Sequence, residues 1–153
     1  RARFAGLVVD LRSRLKDRLF AATRLDDVVP QDLLDFEERR TLERLAPESL
    51  AVPSGRQVAL EYREDGTVAA SVKLQELFGL AESPRLGPRQ EPVLLLLLAP
   101  NGRPVQTTRD LGSFWARTYP EVRKELRGRY PKHPWPEDPW TAVPTARAKP
   151  RPR

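Results

Sequence analysis

The chain contains no Cys and no Met, and His133 is its one histidine. Without cysteine it cannot form a disulfide framework, a thiolate metal site or a cysteine nucleophile. A single histidine excludes a multi-histidine metal site. A Ser/His/Asp triad would have to use His133, which stands in a proline-rich stretch after the last predicted helix. We therefore expect no metal site and no catalytic residue in this chain.

Nucleotide-binding and membrane-spanning segments are missing as well. None of the eight glycines is followed by Lys-Ser or Lys-Thr, so the chain lacks the G-x-x-x-x-G-K-[ST] loop that holds phosphates. The longest apolar run, residues 93–99, is far shorter than the roughly 20 residues that a membrane-spanning helix needs. A short apolar run of this kind predicts a buried strand.

Positive charge is concentrated in the last quarter of the chain. Residues 1–116 contain 17 Lys and Arg and 17 Asp and Glu, whereas residues 117–153 contain 10 and 4, which accounts for the whole net charge of +6. Such an asymmetry indicates an anionic partner, most often nucleic acid, for the C-terminal part. A solvated tail that aids solubility is the alternative.

Apolar periodicity predicts two N-terminal helices. Residues 3–20 carry apolar side chains at spacings of three and four, which form one stripe: Phe4, Leu7, Val8, Leu11, Leu15 and Leu19. A second helix is predicted for residues 31–45, between Pro30 and Pro47. The chain begins at Arg1 and lacks Met, and we expect it to be a segment of a longer protein.

The pattern then changes to β-hairpins. Residues 57–63 alternate between apolar and polar, and the Asp-Gly pair at 65–66 predicts a tight turn to a return strand at 67–72. A short helix at 73–78 should end at Gly79, followed by a loop at 83–92. The strand at 93–99 should pair with 104–107 through the Asn-Gly turn at 101–102.

The C-terminal part is predicted to be helical and then extended. Asp110 is a candidate cap for a helix to residue 117, and Pro120 is placed to start a further helix over 121–128. Residues 130–153 should be extended and depend on neighbouring surfaces for order, with disorder at 146–153. The predicted fold is α+β, with N-terminal helices, mainly antiparallel hairpins with short helices, and a proline-rich basic arm. The predicted domains are residues 1–46, 47–130 and 131–153.

Basic and aromatic residues alternate around the last helix. Basic side chains attract phosphates and exposed aromatic rings stack on unpaired bases, so this combination is typical of single-stranded RNA binding. The candidate nucleic-acid-binding residues are Arg123, Lys124, Arg127, Arg129, Lys132, Tyr130 and Trp135. Two alternatives stay open: the aromatic residues pack in the core, or the cations form a docking face for another part of the protein.

Several ordered motifs resemble the C-terminal region of bacterial HrpB-type ATP-dependent RNA helicases. The similarity is carried by LAPESLAVPSG, VKLQELFGLAESPRL, APNGRPVQTTRDLGSFW and RTYPEVRKELRGRYPKHPWPEDP, at residues 45–55, 72–86, 99–115 and 117–139. The family's pattern assigns no catalytic residue to this region.

This resemblance implies a parent in the DEAH-box group of superfamily 2, which hydrolyses ATP with magnesium in two RecA-like domains that are absent here. It implies an accessory domain whose partners are RNA and the helicase core. The absence of cysteine fits a reducing cytosol, so we expect a cytoplasmic location, and we expect a monomer as the default for a domain cut from a longer chain. A structural docking module and a protein-interaction platform are the alternative functions.

Overall fold

The computed structural model describes residues 1–22, 24, 26 and 28–147. By its internal contacts the chain divides into two compact units. Unit one contains Arg1–Pro47 and Leu86–Gln90, and unit two contains Glu48–Arg85 and Glu91–Arg153. Most of the segment predicted to be disordered, residues 148–153, lies outside the described residues.

The first helix, α1 (Leu11–Ala21), is shorter than the sequence predicts. The prediction that it starts at residue 3 is wrong, because Gly6 adopts a positive φ of 73° that interrupts a right-handed helix. Asp10 then caps α1, since its side chain accepts a hydrogen bond from the backbone N–H of Ser13. Residues 2–6 form turns instead of a helix.

The second predicted helix divides into two pieces, the 3-10 turn Pro30–Leu33 and the helix α2 (Phe36–Leu45). Asp35 caps α2 by accepting a hydrogen bond from the N–H of Glu38. The Glu38 carboxylate accepts one from the N–H of Asp35 in return. This reciprocal capping box fixes the start of α2 and explains why the helix does not begin at residue 31.

Within the described residues, eight short strands form the β structure, and the fold is α+β, as predicted. The strands are β1 (Ser49–Ala51), β2 (Gln57–Ala59), β3 (Glu61–Tyr62), β4 (Val68–Lys73), β5 (Arg85–Leu86), β6 (Glu91–Pro92), β7 (Leu94–Leu98) and β8 (Pro104–Thr108). The order β3-β4-β7-β8 makes one four-stranded sheet, in which β3–β4 and β7–β8 are antiparallel. The central pair β4–β7 is parallel, which the prediction of hairpins did not include.

Both predicted hairpin turns are confirmed. Gly66 and Gly102 adopt φ values of 86° and 85°, the left-handed conformation that the Asp-Gly and Asn-Gly turns require. The first hairpin is shorter than predicted, because the chain leaves it at Leu60, whose N–H donates to the Glu48 carbonyl. Strand β2 pairs with β1 in a separate two-stranded sheet, and β1 was not predicted. The predicted loop at residues 83–92 contains the short strands β5 and β6.

The C-terminal helical segment is continuous, so the prediction of two separate helices is wrong. It consists of α3 (Leu111–Ser113), a π turn (Phe114–Thr118) and α4 (Tyr119–Arg129). The predicted cap is present, because the Asp110 side chain accepts from the N–H of Ser113. The π turn closes with a hydrogen bond from the Tyr119 N–H to the Phe114 carbonyl. Pro120, which has no N–H to donate, is the next residue of α4. The wider turn lets the helix continue through the proline.

The core of unit two is built around an aromatic cluster and a buried turn. Phe78, Phe114, Trp115 and Tyr119 form the cluster, with ring centroids 5.2–6.4 Å apart. The central 3-10 turn (Leu74–Leu77) lies before Phe78, and all four of its residues are fully buried, including Gln75 and Glu76. This turn is the short helix predicted before Gly79, which adopts a positive φ.

The two tryptophans Trp115 and Trp140 give a matched test of this core. Trp115 is 1% exposed, whereas Trp140 is 42% exposed. Replacing Trp115 by Ala should lower the free energy of unfolding by about 3–5 kcal/mol, because it removes a large buried side chain and leaves a cavity. Urea unfolding should show a loss of less than about 1 kcal/mol for Trp140→Ala. Equal losses in the two variants would contradict the described core.

Candidate nucleic-acid interface

Helix α4 presents different faces to the core and to solvent. Tyr119 and Leu126 are buried, and Val122 between them is partly buried. Lys124 and Arg127 are exposed, and at a spacing of three residues they are neighbours on the outer surface. The helix therefore separates the apolar positions predicted for one side from the cations predicted for another.

Four of the predicted cations form an exposed group that we call the basic strip: Lys124, Arg127, Arg129 and Lys132. Arg129 makes an exposed ion pair with Glu125, with 3.3 Å between Nη2 and Oε1. Within residues 28–147, the other three cations make no ion pair. Exposed pairs such as Arg129–Glu125 contribute only about 0–1 kcal/mol and exchange readily with other anions.

Arg123, the fifth predicted cation, faces the protein instead of solvent. Its Nε donates to the Trp135 carbonyl at 2.8 Å, and its Nη2 lies 3.5 Å from the Glu137 carboxylate. The side chain is 20% exposed. In this structure Arg123 attaches the C-terminal arm to α4.

The aromatic residues around α4 mostly pack. Trp135 is 6% exposed, and its indole N–H donates to the Tyr130 carbonyl at 2.9 Å. The Tyr119 hydroxyl donates to the Pro136 carbonyl at 2.7 Å, and burial raises the pKa of this phenol above its usual value. Trp135 offers almost no ring face to a base, whereas Tyr130 is partly exposed. The structure thus assigns packing contacts to Trp135 and leaves base stacking at Tyr130 as a prediction.

The arm continues along the body beyond Trp135. The Pro139 carbonyl accepts a hydrogen bond from the N–H of Gly79 at 2.8 Å, and the Gln75 carbonyl accepts one from the N–H of Thr145 at 3.0 Å. Asp138 holds the next turn by accepting from the backbone N–H groups of Trp140 and Thr141. Sequence reasoning predicted an arm that needs neighbouring surfaces, but it could not identify the central 3-10 turn as one of them.

His133 contacts that same buried turn. Its Nδ1 lies 3.3 Å from Nε2 of the buried Gln75. With the Gln75 amide in this orientation, its nitrogen donates and His133 Nδ1 accepts, as in the neutral imidazole that is protonated at Nε2. Burial, followed by the nearby Lys73 ammonium, lowers the pKa of His133 below its usual value.

Neither a cluster of metal ligands nor a phosphate-binding loop occurs in the described part of the chain. Within residues 1–22, 24, 26 and 28–147, no three His, Asp or Glu side chains are grouped to hold a metal ion. The sequence has no phosphate-binding loop, so its residues do not fit the ATP and magnesium implied for the parent. No helix in the described part of the chain is long and apolar enough to cross a membrane.

The lowered pKa of His133 gives a pH test of the arm. A base whose pKa is lower in the folded than in the unfolded protein binds more protons when unfolded, so acid favours unfolding. The contribution of His133 is complete above its unfolded pKa of about 6.5 and is lost as the pH falls below that value. The wild type should lose more stability than His133→Asn between about pH 8 and about pH 5.5 in urea titrations. If the free energy of unfolding changed equally with pH in the wild type and in His133→Asn, the neutral form of His133 would not contribute to stability.

The comparisons with known proteins agree on one family. The family model described as ATP-dependent helicase C-terminal matches residues 10–139. The chain is 45% identical over 117 residues to the ATP-dependent RNA helicase HrpB of Escherichia coli (strain K12). That match covers 76% of this chain and 14% of the relative, so the chain spans about a seventh of the relative's length.

Two solved structures are similar to this one along most of its length. The Escherichia coli DExH-box NTPase HrpB matches with a TM-score of 0.81 and 35% identity, over 94% of this chain and 20% of that chain. The Escherichia coli DEAH/RHA helicase HrpB matches with a TM-score of 0.64 and 34% identity, over 88% and 19%. The resemblance seen in the sequence motifs is confirmed: this chain belongs to the HrpB-type ATP-dependent helicase C-terminal family.

Proposed function

We propose that this helicase C-terminal domain contributes RNA binding to an ATP-dependent RNA helicase, through the basic strip. The observation that carries the proposal is the exposure of Lys124, Arg127 and Lys132 without any ion pair in the described part of the chain. Cations in this condition are available to phosphate oxygens and release condensed counterions when they bind. The curated relative, named an RNA helicase, supports RNA as the polyanion.

The geometry supports backbone binding more than base reading. Trp115 and Trp135 are buried with their indole N–H groups bonded to carbonyls, so they are not available for stacking. The basic strip consists of two ammonium groups and two guanidinium groups, exposed on α4 and on the turn that follows it. Affinity at such a surface comes from contacts with phosphates. These contacts do not distinguish one base sequence from another. We expect weak, sequence-tolerant and strongly salt-dependent binding.

Two single-charge variants test the site. Arg127→Gln removes a cation from the basic strip, and Arg103→Gln removes one from the exposed turn before β8. Binding of labelled single-stranded RNA, followed by fluorescence anisotropy across a salt series, should weaken in Arg127→Gln. The slope of log K against log salt should fall by about 0.7, the value for one lost phosphate contact on a single strand.

The Arg103→Gln variant is the control, because it carries the same net charge. It should keep the wild-type slope to within about 0.2, a small part of the value for one contact. Equal losses in both variants would mean that net charge, and not this surface, determines binding. No binding of the wild type at low salt would contradict the proposed function.

Arg123 and Lys132 give a second test, a double-mutant cycle. Arg123 binds the Trp135 carbonyl and so fixes the turn that contains Lys132. If Arg123 acts by positioning Lys132, Arg123→Ala should weaken RNA binding in the wild type but have no further effect in Lys132→Ala. If Arg123 instead contacts RNA itself, the losses of binding free energy in the two single variants should add. The slope of log K against log salt should then be lower by a further ~0.7 in the double variant than in Lys132→Ala.

A further inference from the structure

Helix α1 has an unusual relation to the rest of unit one. None of its residues is buried, and Arg14 is the one residue of α1 that is partly buried. Arg14 pairs with both carboxylate oxygens of Glu38 and also donates to the Leu33 carbonyl, at 3.0 Å. Arg18, on the same face, donates to the Asp32 carbonyl at 3.1 Å. Polar contacts from Arg14 and Arg18 therefore help to hold α1 in place.

The apolar stripe of α1 lies beside these arginines and is partly exposed to solvent. Leu11, Leu15 and Leu19 recur every four residues and are 42%, 38% and 39% exposed, and Val8 before the helix is fully exposed. Phe20, elsewhere on the helix, is 95% exposed. An isolated helix of 11 residues is marginal in water, and most helices gain their stability by burying an apolar face. Here the stripe that the sequence predicted for burial is only partly covered within the described residues, since its three leucines keep 38–42% of their surface exposed and Val8 is fully exposed.

We propose that the α1 stripe (Val8, Leu11, Leu15 and Leu19) is a docking surface for the remaining part of the same helicase polypeptide. We choose this partner because the proteins that match this chain are much longer than the chain itself. The helicase and the two solved chains that match this sequence are five to seven times as long as the matching region, which covers 14–20% of them. Most of such a protein is thus joined to this domain and is present at a high effective concentration.

Charge on α1 suggests the chemistry of the complementary surface. Arg12, Lys16 and Arg18 lie around the stripe and are exposed, and Asp17 is the one acidic residue within the helix. A surface that fits α1 should therefore be an apolar groove with acidic residues at its rim. This inference is independent of RNA binding by the basic strip, because it uses other residues in the other unit.

Hydrogen exchange tests the docking surface in the helicase that contains this sequence. The amides of α1 should exchange at least tenfold more slowly in the full-length helicase than in the 153-residue chain. The variant Leu15→Gln/Leu19→Gln should remove that protection, since it keeps good helix formers but loses the apolar stripe. Asp17→Gln, on another side of α1, is the matched control and should retain the protection.

The outcomes separate the possible occupants. Equal exchange of α1 in the full-length helicase and in the isolated chain would overturn the proposal. Protection of the isolated chain that grows with its concentration would assign the stripe to a second copy, and concentration-independent protection would assign it to the chain itself. Because the two leucines are exposed, circular dichroism of the Gln variant should match the wild type, which excludes misfolding as the cause.

Discussion

The fully buried central turn, Leu74–Leu77, is the constraint on which most of unit two depends. Leu74 and Leu77 extend the apolar core, while Gln75 and Glu76 bring polar groups into it. A buried polar group must find partners, because an unmet hydrogen bond in the interior costs about 1–3 kcal/mol. The partners come from two distant segments. Arg56 and Ser54 contact Oε1 of the Glu76 carboxylate at 3.0 and 3.2 Å. His133 contacts the Gln75 amide nitrogen, and the Thr145 N–H donates to the Gln75 backbone carbonyl. Gln75 Oε1 and Glu76 Oε2 have no hydrogen-bond partner within the described residues.

This arrangement explains why the described part of the proline-rich tail, residues 130–147, packs on unit two although it forms no helix or strand. Prolines restrict the backbone and lower the entropy lost when the arm is ordered. Carbonyl groups supply most of its attachments: those of Tyr130, Trp135, Pro136 and Pro139 accept hydrogen bonds from Trp135, Arg123, Tyr119 and Gly79. The consequence for function is that Lys132 is held near the end of α4. The basic strip is then a fixed surface instead of a charged tail.

Sequence patterns correctly predicted the features that depend on residues close together in the chain. The Asp-Gly and Asn-Gly turns, the Asp110 cap and the apolar strand β7 each depend on a few neighbouring residues, and each is present. Sequence-based prediction failed for features that depend on the three-dimensional arrangement of the backbone or on residues far apart in the chain. The parallel pairing of β4 with β7 joins residues that are far apart in the chain, such as Ala69 and Leu94, and periodicity carries no sign of it. The start of α1 was misplaced, because a glycine with positive φ interrupts a stripe that looks continuous.

In the candidate nucleic-acid interface, too, the sequence did not show the contacts that distant residues make. Composition indicated a basic segment, but it could not distinguish a cation that faces solvent from one that holds the arm. Arg123 and Arg127 are four residues apart on one helix, yet one binds a carbonyl and the other is exposed. The aromatic residues were equally ambiguous, since spacing on a helix does not reveal which rings the arm will cover. Trp135 became a packing residue because the arm folds back to α4.

The exchange of the three tryptophan indole protons with solvent deuterium tests the central claim most directly, that the arm is a structured part of the domain. The Trp135 indole N–H belongs to the arm and donates to the Tyr130 carbonyl, while that of Trp115 belongs to the core and donates to the Leu80 carbonyl. We predict that both exchange slowly, and that the exposed Trp140 indole exchanges fast. If the Trp135 proton exchanged as fast as that of Trp140 while Trp115 stayed protected, the arm would be open in solution. Arg123 would then not hold the arm against α4, and Lys132 would not belong to a fixed basic strip.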